Sequence, residues 1–369
     1  MKKIISIFCI IILTSIIPAG AELIENKEKT LSYELPDYFC WRNIDGVDYT
    51  TSMKTQGSCP SCEAYALVAC LETIIQYKTN KTFNCDLSEA HLFFYPGGTC
   101  EWGVDVKAAA DYLVDYGVPD EGCFPDTLAV YDPNYGSIEG WENRTVKIQE
   151  WGWIENDEEE IKKALIEYGP LVICFHVYQD FMFYKKGVYR HRWGQRTGGH
   201  LVALVGYDDN QQCWIVKNSW GKGWGDNGWF KMGYDPDMFI KNCYGGTGIL
   251  YVDGVYGNLN PNVPKIYINK PSSGHTYFRG IQLPTFFKKI KYIPSGIPRV
   301  IKWTKVKTTT SMNTEKVEFY LDGDIKHADY HEPFDWNMRP PLGLHTVEAC
   351  AYDEKGNMSK ATINVFGLR

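Results

Sequence analysis

The hydrophobic period of the chain changes near residue 170, and that change limits the folds open to it. Before it, apolar residues recur at helical spacing. From Cys62 onward Tyr65, Leu67, Val68, Leu71, Ile74 and Ile75 form a wide apolar band, which predicts a long, well-buried helix opening at Cys62. A second helix fits VDVKAAADYLVDYG and stops at Gly117. A third fits DEEEIKKALIEYGP, with acids in its first turn and Gly169-Pro170 as its stop. Beyond that stop the pattern is one of strands: LVICFHVY, HLVALVGYD, CWIVKNSW and GWFKMGY, bounded by Gly, Asp and Asn. Helices first and strands afterwards predict an α+β domain with two unlike halves, ending near residue 255.

YGNLNPNVPK, over residues 256–265, is a Gly/Asn/Pro-rich connection and the best domain boundary. After it come short alternating strands, KVEFYLDG, HTVEACAYD and ATINVF, with turns at Pro340-Pro341-Leu342-Gly343 and at Glu354-Lys355-Gly356-Asn357. About 100 residues of this kind read as a β-sandwich over 266–369. VEFYLDG, PFDW and LGLHTVEACAYDEKGN resemble the immunoglobulin-like modules appended to secreted microbial enzymes. The resemblance implies a domain that spaces, or that binds a protein or a cell-surface polymer.

MKKIISIFCIIILTSIIPAGA has two lysines, an apolar run and the small residues Ala19-Gly20-Ala21, the pattern of a secretory signal peptide over residues 1–21. The run is short for a membrane anchor, and no later segment approaches the ~20 continuous apolar residues of a span. A secreted, extracellular protein with no membrane span in the mature chain is expected. The formal net charge of −7 becomes about −9 without the leader lysines, and no basic stripe is present, which argues against nucleic-acid binding. Of twelve cysteines one, Cys9, lies in the leader, so the mature number is odd and at least one thiol stays unpaired or bridges to another chain. N-x-[ST] sequons stand at Asn80, Asn143 and Asn357.

QGSCPSCEAYA, residues 56–66, puts a C-x-x-C where the first helix opens. Such a pair serves as a redox couple, as half of a metal site, or as a structural thiol beside a nucleophile. A nucleophilic cysteine needs a base, and the base needs a third group to hold its tautomer. His91, His176, His275, His327, His331 and His345 sit in helical, strand or sandwich contexts that need no special role. His200 differs: GGHLVALVGYDD places it behind two glycines at the start of a buried strand. CWIVKNSWGKGWGDNGWF ends a later strand at Asn218-Ser219-Trp220-Gly221. H-E-x-x-H is absent, and neither a metal nor another cofactor is called for.

QGSCPSC, DLSEAHL, GGTCEWG, GGHLVALVGYD and KNSWGKGWGDNGWF, in this order, resemble the papain family of cysteine peptidases across about residues 35–253. The family places its His and Asn about 130–150 residues after the cysteine; here the Asn falls slightly beyond. The resemblance implies a two-lobed catalytic domain over 35–255, a helical lobe and a β-barrel-like lobe, acting on a peptide or protein. Cys62 becomes the nucleophile, His200 the general base and acid, Asn218 the amide that orients the imidazole, and Gln56 an oxyanion donor beside the Cys62 N–H. Gly103 and Trp220 become substrate-side residues, Gly103 as a backbone partner and Trp220 as a cover over His200 and Asn218. The family pattern pairs Cys59 with Cys100, a bridge closing about forty residues and contributing roughly 4 kcal/mol. The helix N-terminus and an adjacent imidazolium are expected to lower the thiol pKa below its free value of about 8.5.

Several residues depart from the family pattern. Glu63 follows the nucleophile where Trp is usual, Pro60 stands for Gly, Trp102 for Gly, and Gly199 for Asn or Asp. A carboxylate beside a thiolate raises the thiol pKa. Residues 22–34 are too few for the family's inhibitory propeptide. Two rivals remain: a thiol–disulfide oxidoreductase using Cys59 and Cys62, and a catalytically weak papain-like binding or adhesion protein.

Overall fold

The computed structural model describes residues 35–81, 85–125, 141–235, 237–257, 264–272, 274–283, 297–311 and 313–368. The predicted leader and the segment 22–34 lie outside them. Helix α1 (Cys62–Lys78) is buried continuously from Cys62 to Gln76. It packs against other helices and against strands of the large sheet. Helix α2 (Glu89–Phe94) is capped by the Ser88 hydroxyl, which accepts from the His91 N–H. Asp105 caps α3 (Val106–Asp115). The chain leaves α3 at Gly117, whose φ is +83° and where a Cβ would lie 2.5 Å from the Val146 carbonyl oxygen. Asp157 caps α4 (Glu158–Glu167), accepting from the N–H groups of Glu159 and Glu160; the acidic first turn lies at the positive end of the helix dipole.

Strands β1 (Tyr38–Cys40), β2 (Val118–Pro119), β3 (Thr145–Lys147), β4 (Glu150–Trp153), β5 (Leu171–Tyr178), β6 (Val188–Tyr189), β7 (Arg196–Asp208), β8 (Cys213–Lys217), β9 (Trp229–Gly233), β10 (Ile249–Asp253) and β11 (Tyr256–Gly257) accompany these helices. Eight of them form one sheet in the order β4-β10-β5-β7-β8-β9-β6, with β1 on β7. Among the described residues the ladder does not close, so the expected barrel-like lobe is an open sheet edged by β4 and β6. β5 is flanked on both sides and almost wholly buried, which explains its unbroken apolar run. Its register places Phe175 opposite His200 and carries β7 outward to Arg196, beyond the apolar stretch from which the strand was read. The small sheet β11-β3-β2 joins the chain just before β4 to the chain just after β10.

The chain beyond residue 264 is all strands among the described residues: β12 (Ile266–Lys270), β13 (Thr276–Phe278), β14 (Ile281–Gln282), β15 (Arg299–Ile301), β16 (Thr304–Thr310), β17 (Lys316–Leu321), β18 (Asp324–Asp329), β19 (Asp335–Met338), β20 (Gly343–Tyr352) and β21 (Met358–Leu368). They make a three-stranded sheet, β12-β16-β19, and a seven-stranded sheet, β14-β13-β15-β21-β20-β17-β18. Ile266, Val306 and Met338 from one sheet and Val317, Phe319, Val347 and Val365 from the other share a core separate from that around α1. The two parts touch directly. Arg144 forms a two-pronged ion pair with Asp120 and donates at 2.6 Å to the Met358 carbonyl, while the Lys360 N–H donates to the Gly122 carbonyl.

Candidate active site

Cys62 is the first residue of α1, 9% exposed, where helical N–H groups lack partners within the helix. Just before it, Cys59 is disulfide-bonded to Cys100, which ties the approach to the helix to the loop carrying Gly103. Gly103 has φ +81°, and a Cβ there would lie 3.0 Å from the Pro60 carbonyl oxygen and 3.4 Å from Glu63 Oε1. The positive φ makes any side chain at this wall strained.

Leu201 on β7 approaches Cys62, its backbone N–H hydrogen-bonding to the sulfur, and His200 precedes it on the strand. The His200 Nε2–H donates to Asn218 Oδ1 at 2.8 Å, a bond that leaves Nδ1 as the ring nitrogen free to exchange a proton. The same Asn218 oxygen accepts from the Ser219 N–H, fixing the amide's orientation. Trp220 stacks on the imidazole at 4.8 Å between centroids and 26° between planes. Gln56 is buried beside this group: its Oε1 accepts from the Ser219 hydroxyl at 2.6 Å and one N–H of Nε2 donates to the Cys59 carbonyl at 2.9 Å. The second N–H of that amide is left for another acceptor. Cys62, His200, Asn218, Gln56, Trp220 and Gly103 thus come from α1, β7, the β8 end and two loops.

The thiol is pushed up rather than down. Burial is the main cause and the Glu63 carboxylate adds to it, against the opposing Leu201 N–H. His200 is held down to about 4 by burial, with the Asn218 bond working the other way. The expectation of a lowered thiol pKa gives way to this finding: a lone thiolate or a lone imidazolium is costly in so closed a site.

Glu63 was read from the sequence only as a neighbouring charge. It is 4% exposed, its Oε2 lies 3.6 Å from the Cys62 sulfur, and its Oε1 accepts from the Tyr244 hydroxyl at 2.9 Å. Tyr244 follows Cys243, which is disulfide-bonded to Cys174 on β5. Neither that bridge nor the role of Tyr244, far downstream of Glu63, left a local signal in the sequence. At Gly199 a Cβ would meet only the tip of the Ile240 side chain, at 2.7 Å. Trp102 is 82% exposed beside Gly103. A small cavity behind the site is lined by Lys54, Glu72, Glu89, Lys217 and Asn218. Among the described residues no group of three or more His, Cys, Asp or Glu could hold a metal ion.

The sequence model described as papain family cysteine protease matches residues 35–248, so the chain belongs to the papain family of cysteine proteases. Cathepsin B-like CP3 of Giardia intestinalis is 51% identical over 79 residues, 21% of this chain and 26% of that protein. Cathepsin Q of Rattus norvegicus is 30% identical over 214 residues, 54% of this chain and 59% of that protein. The chain therefore spans less than two thirds of the length of these curated relatives. Among solved structures, digestive procathepsin L 3 of Tenebrio molitor larval midgut is similar with a TM-score of 0.49 at 23% identity, over 61% of this chain and 72% of that one.

Proposed function

We propose that the chain is a secreted cysteine peptidase that hydrolyses peptide bonds through Cys62, His200 and Asn218, with Gln56 assisting at the oxyanion. The observation that carries this reading is the His200–Asn218 hydrogen bond at 2.8 Å beneath Trp220, on the strand whose next residue binds the Cys62 sulfur. In the first step the Cys62 S–H proton passes to His200 Nδ1 as sulfur attacks the peptide carbonyl. Both charges appear together, so each offsets the burial that penalises it alone. The carbonyl oxygen, now negative, is met by the Cys62 N–H and the unused N–H of Gln56; one such donor is worth on the order of 10²–10³ in rate. The imidazolium returns its proton to the departing amine, leaving a thioester on Cys62. Water, deprotonated by His200, then cleaves that thioester and releases the acid. Gly103 lies beside this group as a backbone partner for an extended peptide, and Trp220 shields the His200–Asn218 bond from water.

The same reading divides the chain into a leader over 1–21, a peptidase domain over 35–255, a connection over 256–265 and an immunoglobulin-like domain over 266–369 that binds a protein or cell-surface polymer. The two disulfides fit export to an oxidising compartment. The Cys59–Cys100 bond speaks against a Cys59–Cys62 redox couple.

The test compares four variants on a fluorogenic peptide and in insulin reduction. Cys62→Ala abolishes peptide turnover with the fold retained. His200→Ala costs nearly as much, and the two losses do not add. Asn218→Ala costs less. Cys59→Ala lowers the melting temperature, while the folded fraction still turns over. Peptide turnover that survives Cys62→Ala overturns the proposal. Insulin reduction that needs both cysteines but not His200 establishes the oxidoreductase instead.

A further inference from the structure

Adjacent residues on a helix do not normally face each other, yet Glu63 is folded back onto Cys62. Its carboxylate is held from the far side by the Tyr244 hydroxyl at 2.9 Å, and its near oxygen sits 3.6 Å from the sulfur. Gly103 lies on the same side, within 3.4 Å of Glu63 Oε1 as measured from a Cβ position built on it. Tyr244 is itself fixed, with φ +51°, in the turn bridged between Cys243 and Gly246 and tied by Cys243–Cys174 to β5. The groups acting on the carboxylate are Cys62 and the helical N–H of Glu63 on α1, Tyr244 on its turn, and the Asp105 carboxylate at the cap of α3. No Lys or Arg forms an ion pair with Glu63 among the described residues.

We propose that Glu63, oriented by Tyr244, is a positioning residue that accepts the Cys62 S–H and so holds the nucleophile in its thiol form, in competition with His200. This rests on the reading of Cys62 as the nucleophile. While the carboxylate is charged, the thiol proton stays between sulfur and Oε2 and a thiolate beside it meets like-charge repulsion. When Glu63 takes up a proton, or is replaced by a neutral amide, that repulsion ends and the thiolate–imidazolium pair forms at lower pH. Burial of Glu63 raises its pKa, so it takes up a proton at higher pH than a free carboxylate does. The Tyr244 turn, clamped by its disulfide, keeps the carboxylate aimed at the sulfur.

The experiment is the pH dependence of alkylation by a neutral haloacetamide in the full chain, with the modified residue identified by peptide mapping, for wild type, Glu63→Gln, Tyr244→Phe and the double variant. Glu63→Gln shifts the Cys62 inflection down by at least about one unit, roughly tenfold in rate on the rising limb. Tyr244→Phe shifts it in the same direction by less, and adds nothing in the Glu63→Gln background. A Glu63→Gln profile that is unchanged or moves upward overturns the proposal, as does a Tyr244→Phe effect of equal size in both backgrounds. If Glu63→Gln does not fold, an unshifted Tyr244→Phe profile overturns it alone. Failure here is separable from failure of the proposed function, which is decided by peptide turnover in Cys62→Ala.

Discussion

At the scale of single residues, His91 shows how a histidine without a catalytic role still shapes behaviour. It is wholly buried, and neither ring nitrogen has a hydrogen-bond partner among the described residues. Its ring stacks on Tyr95 at 4.0 Å and meets Trp141 at 4.3 Å. Burial holds its pKa down to about 3. Since the folded value lies below the ordinary value near 6.5, the neutral ring contributes stability that is complete above about pH 6.5. That stability is lost as the pH falls through this window toward 3, on the order of a few kcal/mol in all. His91→Phe should therefore flatten the fall in melting temperature between about pH 7 and pH 4. Identical slopes in wild type and variant would show that other groups drive the acid limb. The sequence placed His91 on a helix behind Ser88, but its aromatic surroundings come from four different segments.

Among the elements, α1 and α2 are held together by one partly buried cation. Lys54, in the segment before α1, lies 3.1 Å from Glu72 on α1, 2.8 Å from Glu89 on α2 and 2.7 Å from Asp86. Burial opposes its charge, but the three carboxylates outweigh burial and raise its pKa well above the ordinary range. Removing one partner of a buried ion cluster leaves the others uncompensated, at about 3–5 kcal/mol. Lys54→Met should lower urea-unfolding stability by that amount; a loss below about 1 kcal/mol would mean that water screens the cluster. The elements themselves were largely legible. LVICFHVY is β5 residue for residue, and the acid-headed DEEEIKKALIE became α4 behind its Asp157 cap. Edge pieces such as β1 and β4 were not legible, because they are short and their pairing depends on strands far along the chain.

For the whole molecule, the strands beyond residue 264 are joined to the preceding part by contacts as well as by the connecting chain. Arg144 reaches the Met358 carbonyl, and Lys360 pairs with Gly122. A chain ending at Asn260 loses both, so its melting temperature should fall, yet it should still cleave small soluble peptides because every proposed catalytic group precedes the cut. Lost turnover in a truncated sample that remains folded would show that the strands beyond residue 264 complete the site. The helix that opens at Cys62, the switch from helices to strands and the order of Cys62, His200 and Asn218 were determined by the sequence alone, because period, caps and glycine stops act over a few residues. Only tertiary structure decided that Tyr244 would hold Glu63 against the sulfur, that Cys174 would pair with Cys243, and that burial would push the Cys62 thiol up and the His200 imidazole down. These outcomes depend on which distant surfaces meet and how much water they exclude, and no local stretch of the chain carries that information.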